Sequence, residues 1–297
     1  MKRFELESGC KINLCLEITG QRLDGYHTLE SYFLPLAAPS DKLVITLAST
    51  PGCKLFTATP GIDPENNTLT KAYRLFAEAV PEAPGVAIEL IKGVPHGAGL
   101  GGGSADAAAL LKFLNSRVIK SGAPGLEESA LLALAARVGA DVPFFILNRP
   151  AWVSGIGEII HPDESPLEPY KNMHLVLLCP EIHVSTPWAF KEWDKLKKRD
   201  ANALTYQGRH DSNNSADVIS FTNSLENPVF AAFPQLKAIK EKLLAFGAKQ
   251  AVMSGSGSGI FGLFTSADEA GAAGGAFRTE GLRVYIQALY TGVSPSW

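Results

Sequence analysis

Five glycines lie between Gly97 and Gly103, in a segment that reads Pro95-His96-Gly97-Ala98-Gly99-Leu100-Gly101-Gly102-Gly103-Ser104-Ala105-Asp106. Without β-carbons, backbone amides can close on a phosphate, and a helix entered directly from such a loop adds free N–H groups and a favourable dipole. Ser104 can cap that helix or offer its hydroxyl to a phosphate or a metal. Lys11 and Asn13 alternate with apolar residues, so both project from one strand face and can enter one cleft. Asp141 stands before Val142-Pro143 in the position of a helix N-cap, where a carboxylate could equally accept a proton. Tyr26 and His27 follow a turn from Gly20 to Gly25, and their rings suit either a core or a ligand platform. Phe190 has the same two readings, because Trp188, Phe190 and Trp193 fall at helical spacings. A phosphate cradle, a cation and a carboxylate are the parts that phosphoryl transfer needs.

Context argues against two other phosphate loops. Gly97-x-Gly99-x-x-Gly102 satisfies the dinucleotide fingerprint, but the preceding strand alternates instead of forming a continuous apolar run. About twenty residues on, Glu127 and Glu128 open a helix and do not end a second strand, as ribose recognition requires. No Lys-Ser or Lys-Thr follows the glycines, which rules out a Walker loop.

Alternation of Cys10, Ile12, Leu14, Leu16 and Ile18 predicts a first strand with one buried face. Further strands are predicted over Ser31 to Leu36, Leu43 to Leu47 and Val86 to Leu90, and a helix over Asn67 to Val80. The glycine loop leads into a helix from about Ala105 to Asn115, and another runs from about Leu126 to Val138 and stops at Gly139. In the second half, strands are predicted at Met173 to Leu178, Gln250 to Met253, Ile260 to Phe264 and Val284 to Leu289. Helices are predicted from Pro187 to Lys198 and from Pro228 to Phe246, with a glycine-weakened one before the last strand. Lys197 to Asn214 is polar and reads as a surface excursion. Gly, Pro, Asp and Glu cluster between residues 155 and 170, placing a boundary there and giving domains 1–160 and 161–297.

A net charge of −3 gives no general attraction to nucleic acid, which weighs against an RNA-binding protein. The four cysteines show no metal-ligand spacing and read as buried thiols, and no metal ligands are named. With no apolar leader at the start and no stretch able to span a bilayer, a soluble cytoplasmic protein is expected.

The Gly-Leu-Gly-Gly-Gly-Ser loop resembles the phosphate loop of the GHMP kinases. Lys11-Ile12-Asn13-Leu14, Asp24-Gly25-Tyr26-His27, Gly139-Ala140-Asp141-Val142-Pro143-Phe144-Phe145, Thr186-Pro187, Asn223 and Ser254-Gly255-Ser256-Gly257 occur in the order found in the 4-diphosphocytidyl-2-C-methyl-D-erythritol kinases. The resemblance implies an α+β, two-domain GHMP kinase fold: a ribosomal-protein-like α/β domain, then a ferredoxin-like α+β domain, with the active site between them. It implies ATP as phosphoryl donor, Mg²⁺, and a cytidine-diphosphate sugar alcohol as acceptor. Pro95, His96, Gly97, Ala98, Gly99, Leu100, Gly101, Gly102, Gly103, Ser104 and Ala105 would bind ATP. Lys11 and Asp141 would be catalytic, with Asp141 as base. Asn13, Tyr26, His27, Thr186 and Phe190 would bind substrate, Tyr26 and Phe190 sandwiching the cytosine while His27 bonds its edge. The Ser254 to Gly259 loop would either brace the phosphate loop or close over the substrate's diphosphate. Neither nucleic acid nor membrane is expected as a partner, and a monomer or homodimer is expected. Ser104-Ala105 stands where the family often has two serines, and Asn223-Ser224 where it often has Asn-Asp. The rivals are a GHMP kinase of mevalonate, homoserine or a sugar, an RNA-binding protein and a nicotinamide dehydrogenase.

Overall fold

The computed structural model describes residues 2–199 and 219–289. Most of the polar stretch predicted as an excursion, Lys197 to Asn214, lies outside them. The chain forms two sheets with helices on their outer faces, an α+β architecture. In the first sheet β1 (Arg3–Gln21) pairs antiparallel with β2 (His27–Ala48). β2 also pairs with β4 (Gly85–Ile91) and with β5 (Ala151–Ser154), while β3 (Cys53–Thr57) and β6 (Ile159–Pro162) close the edges. The strands predicted over Ser31 to Leu36 and Leu43 to Leu47 are thus one continuous strand. β3, β5 and β6 are too short for their alternation to stand out.

Helices α1 (Thr68–Ala79), α2 (Gly102–Lys120), α3 (Glu128–Val138) and α4 (Val142–Leu147) cover the outer face of this sheet. Asn67 caps α1 by accepting the amides of Leu69 and Thr70. Alanines at 105, 107, 108 and 109 are all buried in α2. Their small side chains combine high helix propensity with close approach to the sheet.

The second sheet has the order β10 (Arg283–Ala288), β7 (His174–Cys179), β9 (Ile260–Phe264), β8 (Gln250–Met253), all antiparallel. Leu175 and Leu177 face the first sheet and join Ile12, Leu34 and Leu36 in one cluster, while Val176 and Leu178 face helices. Those helices are α5 (Thr186–Arg199), α6 (Glu226–Ala232), α7 (Pro234–Ala245) and α8 (Ala267–Thr279). The single helix predicted over Pro228 to Phe246 is broken at Phe233, whose φ of −127° and ψ of 73° leave the helical region ahead of Pro234.

The two sheets share a core along the apolar face of β1, and loops cover the other face, which overturns the expectation of one buried face on that strand. Lys11 and Asn13 are 4% and 2% exposed, so the polar face of the strand is buried too. The segment from Thr222 to Ser224 runs along β1 and bonds to both the amide and the carbonyl of Leu16.

Candidate active site

A cleft of about 940 Å³ is lined by the glycine loop, β1, the turn before β2, the turn that leads into α4, and α5. Its floor is backbone. Gly97, Gly99 and Gly101 all have φ of +71°, a conformation open to glycine and costly for other residues. Close packing adds to that requirement: a Cβ on Gly99 would stand 2.1 Å from the carbonyl oxygen of Ser254. α2 begins at Gly102, three residues before the predicted start, and its N-cap is Gly101 without any side-chain cap. Ser104 therefore does not cap the helix; it lies in the first turn and lines the cleft. Ala105 is fully buried and does not line it.

Three neighbours hold the loop. The Lys11 amide donates to Leu100 O at 2.9 Å, and the Gly259 amide donates to Ala98 O at 3.0 Å. Ser254 Oγ donates to Gly99 O at 3.1 Å. Of the two roles open to the Ser254 to Gly259 loop, bracing the phosphate loop is the one its bonds perform. Asn223 supports it in turn, its Nδ2 donating to Met253 O and Gly255 O. Ser224, where the family often has Asp, accepts the Ile18 amide and donates to Glu17.

The Lys11 side chain reaches the same floor. Its Nζ lies 2.5 Å from Asn13 Oδ1, 3.8 Å from Asp141 Oδ2 and 4.5 Å from the centre of the Phe33 ring. Burial lowers the Lys11 pKa, and Asp141 opposes that shift. Asn13 Nδ2 donates to Ser31 Oγ at 2.9 Å, so this amide is fixed in orientation. Asp141 occupies the N-cap position of α4 but makes no side-chain cap bond, and its side chain is 30% exposed. The capping reading therefore fails by geometry. The carboxylate is left facing Lys11 and the cleft, as a proton acceptor must be.

The opposite wall differs from its expected form. His27 Nε2 is 2.8 Å from Asp194 Oδ1, so this nitrogen is not free to bond the edge of a base. The His27 ring stacks on Phe190 at 5.0 Å and meets Trp193 edge-on at 5.6 Å. Phe190, Trp193 and Asp194 thus grip His27 from one face of α5, and a base could stack only on the other face of Phe190. Tyr26 is 62% exposed at the cleft's rim. Thr186 Oγ1 is 2.8 Å from Ser256 Oγ, joining α5 to the bracing loop. Pro95 and His96 line the cleft at the entry to the glycine loop, where His96 stacks on His183 at 5.6 Å.

Sequence reasoning missed a buried cluster of Asp41, Lys92 and Asp106, which joins β2, the end of β4 and α2. Burial raises the Asp106 pKa to about 7, against the pull of Lys92. Burial pulls Lys92 down, but Asp106 and Asp41 outweigh it and leave its pKa raised. One signal was available: Asp106 is a lone charge on the apolar face of an alanine-rich helix.

Comparison with known proteins gives the family. Residues 67–149 match the GHMP kinases N terminal domain and residues 201–281 the GHMP kinases C terminal domain. The chain is 48% identical, over 96% of its length and 98% of the relative's, to the 4-diphosphocytidyl-2-C-methyl-D-erythritol kinase of Nitratidesulfovibrio vulgaris. It is 40% identical to the kinase of the same name from Methylacidiphilum infernorum, over 87% of this chain and 85% of that one. A crystal structure of 4-(cytidine 5'-diphospho)-2C-methyl-D-erythritol kinase superposes with a TM-score of 0.71 at 32% identity, covering 95% of this chain and 98% of that one. Homoserine kinase from Cytophaga hutchinsonii, at 18% identity and a TM-score of 0.66 over 97% and 94% of the two chains, shares the fold. This chain belongs to the GHMP kinases and, within them, to the 4-diphosphocytidyl-2-C-methyl-D-erythritol kinase family of ATP-dependent small-molecule kinases.

Proposed function

We propose that the chain transfers the γ-phosphate of ATP to the 2-hydroxyl of 4-diphosphocytidyl-2-C-methyl-D-erythritol, in the non-mevalonate route to isoprenoid precursors. The observation that carries this reading is the Lys11–Asp141 pair, 3.8 Å apart, set between the glycine loop and an aromatic wall. ATP lies with its phosphates on the amides from Gly97 to Ser104. The acceptor enters from the side of Tyr26, Phe190 and Thr186, with its base against the aromatic wall. Asp141 takes the hydroxyl proton as the oxygen attacks phosphorus. Lys11 offsets charge at the reacting oxygens, and Asn13 fixes its ammonium.

A divalent ion, Mg²⁺ by its affinity for phosphates, supplies charge neutralisation when bound. Oxygen donors along the cleft, the Ser104 hydroxyl and the Asp141 carboxylate among them, would hold it. Among the described residues no three His, Cys, Asp or Glu side chains group as a metal site. That suits an ion held mainly by phosphates and water. The enzyme works as a cytoplasmic monomer or homodimer without nucleic acid or membrane. In support, the net charge is −3 and no described helix is long and apolar enough to cross a bilayer. The test is ATP consumption with the cytidyl substrate, mevalonate and homoserine offered separately. Turnover with the cytidyl compound alone is expected, and preference for either of the others would overturn the reading.

A further inference from the structure

The charge cluster beneath the glycine loop takes no part in the chemistry above, yet it touches both ends of that loop. Where β4 ends and the loop begins, Asp41 Oδ1 accepts the amides of Gly93 at 2.7 Å and Val94 at 2.8 Å. Where the loop has become α2, Asp106 Oδ1 accepts Ser8 Oγ at 2.5 Å. Lys92 stands between the two, bonded to Asp41 Oδ2 and 3.0 Å from Asp106 Oδ2. Asp41 and Asp106 are 0% and 2% exposed. The start of the helix packs directly on the strand's exit, since a Cβ on Gly102 would stand 2.9 Å from Val94 Cγ1 and 3.2 Å from Asp41 Oδ2.

Lys92 also lines the cleft, and a lysine in such a place would ordinarily be taken for a phosphate ligand. Its ammonium has three donors, and the two carboxylates already engage it. Moving it to a phosphate would leave two buried carboxylates with their charge uncompensated.

We propose that Lys92, Asp41 and Asp106 are positioning residues for the phosphate loop, fixing the strand exit against the helix start, and that Lys92 acts on ATP through Asp106. The amides that meet the phosphates belong to the span this cluster closes. A change in their spacing weakens ATP without touching the acceptor's side of the cleft. The inference rests on the glycine loop being the ATP site.

The experiment combines calorimetric ATP titration with steady-state kinetics on Lys92→Met, Asp106→Leu, their double variant and Asp106→Asn, using the full chain. Each of the first two should raise KM for ATP and its Kd by about tenfold, with kcat and the acceptor's KM within about threefold. The double variant should be no worse than the worse single one, because the pair acts as one unit. Asp106→Asn can keep its one oxygen toward Lys92 while its amide donates to Ser8 Oγ in place of the bond it now accepts, and should stay within about threefold of wild type. Should Asp106→Leu fail to fold, Ser8→Ala provides the second reading, a smaller ATP-specific loss. Additive losses in the double variant would show Lys92 meeting ATP on its own. Unchanged ATP affinity, or equal losses for both substrates, would reduce the cluster to a support for the fold. A wild-type protein that binds no ATP would instead sink the loop assignment itself.

Discussion

The two walls of the cleft are built on different principles. The glycine-loop wall is backbone: positive-φ glycines, a helix start, and carbonyls gripped by the amides of Lys11 and Gly259 and the hydroxyl of Ser254. The aromatic wall, proposed for the acceptor, is side chain, with His27 boxed by Phe190, Trp193 and Asp194 while Tyr26 stands open at the rim. A buried backbone site tolerates almost no added atom, whereas an exposed ring can be lost without moving its neighbours. Substitutions in the two walls should therefore fail differently.

The largest effect belongs to the point where the walls meet. Lys11→Met keeps the length of the stem but removes the charge facing Asp141, and kcat should fall by about a hundredfold or more. Steady-state kinetics beside a thermal melt check this, and an active, folded variant would detach Lys11 from the chemistry. Gly101→Val comes next. It forces a branched residue into a φ of +71° and sets its Cβ 3.0 Å from the Phe145 ring and 3.3 Å from Lys11 Cγ. ATP affinity by titration calorimetry should drop at least tenfold, about 1.4 kcal/mol. An unchanged affinity in a folded variant would mean that the loop does not hold the nucleotide. Tyr26→Ala should disturb the protein itself least, losing about 1 to 3 kcal/mol of cytidyl-substrate binding with ATP affinity nearly intact. Equal losses for both ligands would erase the difference between the walls.

The same contrast explains what was legible in the sequence. Glycine spacing is a local signal of backbone chemistry, so the loop, the helix after it and the cation on β1 could be read from residues close in the chain. The aromatic wall depends on side chains from distant elements, and nothing in Tyr26-His27 announces that Asp194 takes the imidazole nitrogen. The Asp41–Lys92–Asp106 cluster was hidden for the same reason, because its members are joined only by the fold. The burial of Lys11 was hidden because alternation along β1 shows two faces but not that the glycine loop, Asp141 and the Ser254 loop cover the polar one. The loop helix was placed three residues late because Ser104 resembles a cap and Gly101 does not, although φ of +71° makes the glycine the true boundary.

The most direct test of the mechanism is kcat for Asp141→Asn, measured with ATP affinity and thermal stability on the same preparation. The side chain makes no cap bond that the change could break, and an amide keeps its shape while losing the ability to accept a proton. A normal melt is expected, with ATP and acceptor binding within about threefold of wild type and kcat lower by about 10² or more. Near-normal turnover in that variant would contradict this mechanism and leave the reaction without its base.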